Sequence, residues 1–246
     1  MKRIKRYLTN LPIGVKLIVG INLVVYFVFI FTKIIFNISL ETYFGAYPTY
    51  SENFNVFSIF TSMFVHSFSP LHIIMNMGFI LVFSPFVERK LGTKLFITSY
   101  FIIGLMGYML INYSYHKNKI SIEKSIGYIG IDVNDIKVVD GLVSHRYLFS
   151  LSNPQSKVVV NYDHIISKTY GASSALFGII ILYILFNLSN FKKVFFIVLG
   201  TYLVVKSLYL ILNSEIILNG TGYAHFGGMI GGVAVFIWYK LKKGIV

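Results

Sequence analysis

The sequence predicts an all-α polytopic membrane protein: a six-helix transmembrane bundle with a small extracytoplasmic insertion that contains strand-forming sequence. Of its 246 residues, 56% are hydrophobic and only 13% are charged. A soluble domain carries about 25% charged residues, so this chain has too few charges to coat a soluble globule. Its mean hydropathy of +0.72 also excludes a disordered chain, which needs low hydrophobicity.

Long stretches without Asp, Glu, Lys or Arg mark the predicted spans. A membrane-crossing helix needs about 20 mostly apolar residues. The apolar runs are continuous rather than alternating, which argues against a β-barrel. The six predicted spans are residues 13–36, 66–87, 95–115, 171–190, 193–214 and 223–241.

The polar segment 116–170 separates the third predicted span from the fourth. Its β-branched runs at 136–139 and 157–160 are separated by turn residues such as Asp140-Gly141. This pattern favours short strands or hairpins. The predicted organisation is therefore a helical core of residues 1–115 and 171–246, with residues 116–170 forming an extracytoplasmic insertion.

The charge balance is strongly basic, with 22 Lys and Arg against 9 Asp and Glu, a net charge of +13. On a soluble chain this would suggest a nucleic-acid partner. Here, 13 of the 22 basic residues lie at helix ends on one side of the predicted bundle, whereas the opposite short loops, 37–65 and 215–222, contain no Lys or Arg. The positive-inside rule then places both termini in the cytoplasm. We expect the lipid bilayer as partner and no nucleic acid.

Several polar residues converge at one depth of this topology. His66, His72 and Asn76 fall in the outer half of the second span, Ser173 at the outer end of the fourth, and His225 in the first turn of the sixth. Polar groups inside a membrane are costly, so each is a candidate functional residue. A lone serine or histidine would more often be structural, but the convergence favours a site.

Acyl transfer is the chemistry that needs these side chains. A serine hydroxyl is a weak nucleophile until a neighbouring base, such as neutral histidine, takes its proton. The tetrahedral intermediate needs fixed hydrogen-bond donors around its oxyanion. His72 and Asn76 are four residues apart and share a helix face, while Ser173 lies where a helix start exposes backbone N–H groups.

Glycines around these residues favour close helix packing. Gly228 and Gly232 are four residues apart in the sixth span, and Gly171 and Gly178 flank the serine. Small residues let helix backbones approach closely in membranes. We expect this approach to bring His225 within hydrogen-bond reach of Ser173.

At these residues the sequence resembles the rhomboid family of intramembrane serine proteases. The stretch Gly171-Ala-Ser173-Ser174 resembles the family's Gly-x-Ser-Gly motif, and the stretch from Ala224-His225 to Gly232 matches its Ala-His-x-x-Gly-x-x-x-Gly motif. The segment from His66 to Asn76 resembles the family's His…His-x-x-x-Asn segment. Three motifs in this order, on the expected helices, make the resemblance specific; it covers the six-helix body and leaves 116–170 outside.

The resemblance implies a Ser–His dyad that cleaves transmembrane segments of other proteins near their outer ends, without a metal or cofactor. Ser173 would be the nucleophile and His225 the general base. His72, Asn76 and the Ser173 backbone N–H would form the oxyanion hole. Phe177 stands where an aromatic ring often packs under the histidine, and the supporting helix-packing residues would be Gly171, Gly178, Gly228 and Gly232.

The chain departs from the family pattern at three places. Ser174 stands where the family usually has glycine, and we expect it to serve packing. His66 is one residue further from His72 than is usual, and we expect it to be structural. Phe57-Ser58 occupies the place of a common Trp-Arg pair.

Two other functions stay open. A catalytically silent relative would bind transmembrane clients without cutting them, although both Ser173 and His225 are present. A transporter or channel also holds polar residues at depth, but it would more typically show discontinuous helices or paired half-repeats at the midplane.

Overall fold

The computed structural model describes residues 2–128, 131–132, 138–139, 142–143, 169, 172–188, 194–213 and 220–244. Within them the chain is mostly helical. The helices are α1 (Lys2–Thr9), α2 (Ile13–Phe36), α3 (Glu41–Phe44), α4 (Ser58–Thr61), α5 (Pro70–Leu91), α6 (Thr93–Tyr128), α7 (Ser173–Asn187), α8 (Val194–Asn213) and α9 (Gly220–Lys242), with a 3-10 turn at Ser62–Phe64.

Each predicted span overlaps one of the six long helices, and α2 has the predicted bounds. Among the described residues, α2, α5 and α6 are long and apolar enough to cross a membrane on their own. Helix α7 is apolar but has only 15 residues, and the apolar stretch Ile197–Lys206 of α8 is also short. That all six helices cross the bilayer stays a prediction.

Helix α5 begins at Pro70 rather than at the predicted residue 66. Proline is favoured at the first position of a helix, because its missing N–H would have no helical acceptor there. The preceding residue, Ser69, is extended, with φ −67° and ψ 116°. His66 therefore lies in the loop before α5, and its placement in a span was wrong.

Helix α6 continues to Tyr128 instead of ending at the predicted residue 115. Its 36 residues correspond to about 54 Å at about 1.5 Å per residue, well beyond a hydrocarbon core of about 30 Å. Lys119 and Glu123 form an i,i+4 ion pair of 3.6 Å on the polar extension, which supports the helix. The first part of the predicted insertion is thus helical.

Two short strands are described in the remainder of the predicted insertion. Strands β1 (Val138–Val139) and β2 (Leu142–Val143) pair antiparallel, with Val138 opposite Val143. They flank the predicted Asp140-Gly141 turn. The second predicted run, 157–160, lies outside the described residues, so wider β structure in the insertion stays a prediction.

A buried carboxylate joins three helices at the end of α5. Glu88 is 1% exposed and accepts hydrogen bonds from the backbone N–H groups of Gly14 (2.8 Å) and Val15 (2.7 Å) and from the Thr93 hydroxyl (2.7 Å). Backbone N–H groups at a helix start lack helical acceptors and favour negative charge. Glu88 therefore caps α2 while fixing the junction of α5 and α6.

A proline inside α5 is matched by a contact from α1. Pro85 has no N–H, so the carbonyl of Leu81, four residues earlier, cannot receive its usual helical bond. The Tyr7 hydroxyl donates to this carbonyl at 2.6 Å. The contact fastens α1 along the bundle and satisfies the carbonyl that Pro85 leaves open.

The loop between α2 and α5 is docked against its neighbours. Ala46 and Thr169 form a two-bond antiparallel bridge, with N···O distances of 2.9 and 2.7 Å. The Thr49 N–H donates to Asn112 on α6, and the Thr49 hydroxyl lies 2.7 Å from the His116 ring. This loop is therefore held both to the extended part of α6 and to the segment that leads into α7.

Candidate active site

The nucleophile candidate, Ser173, is the first residue of α7. Ala172 is the N-cap, with helical angles and no side-chain cap. The bond from the Leu176 N–H to the Ala172 carbonyl, 2.9 Å, opens the helical ladder. The backbone N–H groups of the first turn are therefore directed out of the helix end, and the Ser173 side chain is half-buried beside them.

His225 lies against the same face of α7. Its ring stacks on Phe177, with centroids 4.0 Å apart and an angle of 19° between the planes. Phe177 is one helical turn after Ser173, and residues four apart share a helix face. The base candidate is thus held beside the turn that begins with Ser173. Because α9 begins at Gly220, His225 lies in its second turn rather than its first.

Three of the predicted glycines lie where α7 and α9 touch. A Cβ placed on Gly228 would collide with the carbonyl oxygen of Ser174 and lie 2.8 Å from its carbonyl carbon. A Cβ on Gly178 would come within 2.5 Å of the Gly228 carbonyl oxygen, and one on Gly232 within 2.9 Å of the Gly178 Cα. The two backbones are in direct contact, as the glycine spacing predicts. Gly171 lies outside the described residues.

The oxyanion-hole candidates lie one turn apart at the start of α5, which packs against α7. Asn76 is 5% exposed, and its amide nitrogen is buried with no hydrogen-bond partner among the described residues. The Nδ1 atom of His72 lies 3.0 Å from the Ser67 hydroxyl and accepts from the Ser67 backbone N–H at 3.4 Å. Helix α7, which begins with Ser173, packs against both α5 and α9, so the candidate residues of α5 and α9 lie on helices that adjoin the same third helix.

His66 is buried in the loop before α5. It is 4% exposed, its Nδ1 lies 3.3 Å from the Phe64 carbonyl, and its ring centroid is 5.2 Å from that of His72. Burial and, to a lesser extent, repulsion from His72 lower the pKa of His66 to about 4. His66 is therefore neutral at physiological pH, and it packs behind His72.

Comparison with known protein families identifies the family to which this helical bundle belongs. The family model of the rhomboid domain matches residues 53–133 and 136–242. This chain belongs to the rhomboid family. The two matched stretches contain every candidate residue above and most of the chain, in agreement with the resemblance of the three motifs.

One characterised rhomboid relative is Rhomboid-like protease 3 of Toxoplasma gondii, which is 35% identical over 66 residues. This alignment covers 27% of the present chain and 25% of the relative, so the chain spans about a quarter of that protein's length. No solved structure matches the chain significantly. Family membership makes this a multi-pass membrane protein with apolar membrane-crossing helices.

The rhomboid fold of this chain accommodates Ser174 through a glycine that the sequence analysis did not single out. Ser174 is 8% exposed, and a Cβ placed on Gly107 of α6 would lie 2.5 Å from the Ser174 Cβ and 2.8 Å from the Ala224 carbonyl oxygen. The missing side chain at Gly107 leaves the room that the serine fills. A signal was present, because glycine is costly inside a helix unless something approaches closely.

Ser67 is the other residue that sequence reasoning missed. It lies in a loop, and a single serine there gives no signal of a bond to a histidine five residues later. Although three imidazoles lie in this part of the rhomboid bundle, no group of three or more His, Cys, Asp or Glu side chains among the described residues is arranged to hold a metal ion.

Proposed function

We propose that this rhomboid is an intramembrane serine endopeptidase that hydrolyses a peptide bond in the transmembrane segment of another protein. The observation that carries the proposal is the stacking of His225 on Phe177, one turn from Ser173. It holds an imidazole beside a serine at a helix start, where unpaired backbone N–H groups are available. A base next to a hydroxyl is what activates a serine nucleophile.

The reaction follows from these positions. His225 takes the proton of the Ser173 hydroxyl as the serine oxygen attacks the substrate carbonyl carbon. Donors on the Asn76 amide, the His72 ring and the Ser173 backbone N–H stabilise the negative charge on the carbonyl oxygen. His225 then gives the proton to the departing amine. Water, activated by the same histidine, hydrolyses the acyl-enzyme and restores Ser173.

Loss of the serine is the decisive test. The purified protein is reconstituted in liposomes with a single-span substrate, and cleavage is followed by electrophoresis. We expect wild type to cut the substrate and to be labelled by a fluorophosphonate, and Ser173→Ala to do neither. Ser174→Ala is the matched control, since it removes a neighbouring hydroxyl that faces Gly107, and it should retain both activities.

The alternative is a silent rhomboid that binds transmembrane clients. It predicts that wild type binds the substrate without cutting it and that the fluorophosphonate leaves Ser173 unlabelled. Cleavage that persists in Ser173→Ala would equally overturn the protease proposal, because a second nucleophile would then be responsible.

We further propose that all six long helices cross the membrane, with both termini cytoplasmic and the site open to the extracytoplasmic side. The support is the basic residues at one side of the bundle. The chain has no cysteine, so a single introduced thiol can be probed directly. In intact cells, a membrane-impermeant maleimide should label Asn53→Cys and should leave Lys243→Cys unlabelled until the membrane is opened. The reverse pattern would invert the topology.

A further inference from the structure

We propose that Ser67 is a positioning residue that fixes the protonation state of the His72 ring, so that its Nε2–H is presented to the oxyanion. This inference rests on the proposed serine-protease function for its catalytic meaning. Its structural content concerns the ring alone and can be tested without any substrate.

The backbone of Ser67 is hydrogen-bonded to the His72 ring. The Ser67 N–H lies 3.4 Å from the His72 Nδ1. A backbone N–H can only donate, so Nδ1 must accept with its lone pair. A neutral imidazole has one protonated nitrogen, and with Nδ1 as the acceptor the proton is on Nε2.

The side chain of Ser67 contacts the same ring. The Ser67 hydroxyl lies 3.0 Å from the same Nδ1. Because a hydroxyl can rotate to donate or accept, it adapts to the state that the N–H imposes and donates as well. Two donors from one residue thus converge on one ring nitrogen, and they hold both the proton position and the orientation of the ring.

The other ring nitrogen, Nε2, is then the one that can donate to the substrate. An oxyanion needs donors, and a bare Nε2 would repel it. With Nδ1 occupied by Ser67, Nε2 carries the hydrogen and is the donating atom. The bond that a histidine makes at one nitrogen sets the role of the other, so Ser67 would act on the reaction through His72 without touching the substrate.

Among the described residues, the His72 ring is hydrogen-bonded to Ser67, and the neighbouring His66 ring is bonded elsewhere. His66 is 5.2 Å away between ring centroids, and its own contact is with the Phe64 carbonyl. Ser69, two residues after Ser67, is the N-cap of α5 and makes no side-chain cap hydrogen bond. Ser69 therefore provides a matched control: a serine in the same loop whose hydroxyl does not hold the helix start.

The direct test is nitrogen NMR of the histidine ring in the full-length protein, labelled with ¹⁵N-histidine in detergent micelles. Comparison with His72→Ala assigns the His72 signals among the 6 histidines. We expect an unprotonated, hydrogen-bonded Nδ1 and a protonated Nε2. In Ser67→Ala the Nδ1 signal should move toward that of a free nitrogen, whereas Ser67→Thr and Ser69→Ala should leave it in place. A protonated Nδ1 in wild type, or no change in Ser67→Ala, overturns the proposal.

The kinetic test asks whether the bond matters for turnover. Loss of one neutral hydrogen bond should lower kcat about threefold to tenfold in Ser67→Ala, with KM unchanged, because the donor acts on the transition state. Ser67→Thr should recover most of the rate, and Ser69→Ala should match wild type. An unchanged kcat in Ser67→Ala, while Ser173→Ala abolishes cleavage, would defeat the inference and leave the protease function standing. Absence of cleavage by wild type would defeat the function alone, since the NMR result is independent of it.

Discussion

Two buried polar side chains of α5, Glu88 near its C-terminal end and Asn76 near its N-terminal end, differ in their hydrogen bonding. At the end that meets α2 and α6, Glu88 accepts three hydrogen bonds from Gly14, Val15 and Thr93. At the other end, the Asn76 amide nitrogen and the His66 Nε2 are buried with no partner among the described residues. Buried polar groups are nearly always paired in folded proteins. The Ser84 hydroxyl, one turn before Glu88, is also buried with no partner among the described residues, so the contrast is between two side chains. Glu88 is a structural anchor, and the Asn76 amide is a donor that a ligand can use.

The largest expected effect comes from removing the Glu88 carboxylate. Glu88→Ala leaves two N–H groups of α2 and one hydroxyl without their acceptor, so we expect the free energy of unfolding to fall by about 3 kcal/mol or more. Thermal unfolding in a mild detergent measures this. Glu52→Ala removes an exposed carboxylate in a loop and should change little. Equal losses in the two variants would remove the distinction between the anchor and an ordinary surface charge.

Near the N-terminal end of α5, Asn76→Ala should slow cleavage by roughly 10- to 1000-fold, by analogy with the removal of one oxyanion donor from a serine protease. Unfolding should barely change, because the amide nitrogen has no hydrogen bond among the described residues to lose. The control is Asn22→Ala. Its amide donates to the Ile18 carbonyl at 2.7 Å, so it should lower stability while folded protein keeps its turnover. A rate unaffected by Asn76→Ala would make Asn76 structural.

The close contact of α7 and α9 is the next feature to break. Gly228→Ala puts a methyl group into the Ser174 carbonyl, and overpacking of this kind costs about 1–3 kcal/mol. We expect a lower unfolding midpoint and weaker fluorophosphonate labelling, because His225 is carried away from Ser173. Gly78→Ala, on α5, meets no atom within 4 Å and should be neutral or stabilising. Similar behaviour of both variants would contradict close packing at Gly228.

The smallest effect at neutral pH comes from His66, which contributes a pH dependence that grows only on acidification. Because its pKa in the folded protein is lowered to about 4, the unfolded chain takes up a proton near the ordinary value of about 6.5 before the folded one does. Stability is then complete above about 6.5 and decreases as the pH falls toward about 4, by up to about 1.4 kcal/mol per pH unit for this one group. The slope should be shallower in His66→Gln. Identical slopes for wild type and variant would exclude His66 as its source.

The stretches without charged residues located helix bounds correctly where apolar composition sets them. They misplaced helix bounds where a proline or an ion pair sets them. Helix α2 matches its predicted bounds because a long apolar run lies between Pro12 and Asn37. The start of α5 was misplaced because the stretch without charged residues continues N-terminal to Ser69-Pro70, where the helix begins. The extension of α6 beyond residue 115 was missed because a charged segment resembles a loop. The i,i+4 pair of Lys119 and Glu123 is the feature that indicates a helix.

The candidate site divides in the same way. Topology alone predicts that its motif residues share one depth, which stays a prediction, and the glycine spacing predicted the contact of α7 with α9. The roles of Ser67 and Gly107 could not be predicted from the sequence, because each depends on a partner that folding brings near. The partner of Ser67 is His72, and that of Gly107 is Ser174. Spacing along the sequence predicts which residues share a helix face. It does not predict contacts between a loop and a helix or between α6 and α7.

The contact of Tyr7 with the Leu81 carbonyl has an evolutionary consequence. Once Pro85 is present, substitutions at Tyr7 are constrained, because Tyr7 supplies the hydrogen-bond donor that the proline lacks. The two positions are epistatic. Loss of the tyrosine lowers stability when residue 85 is proline, and it has little effect when that residue is alanine, whose own N–H can bond to the Leu81 carbonyl. A neutral path to a shorter N-terminus would therefore pass first through replacement of Pro85, a residue 78 positions away in the sequence.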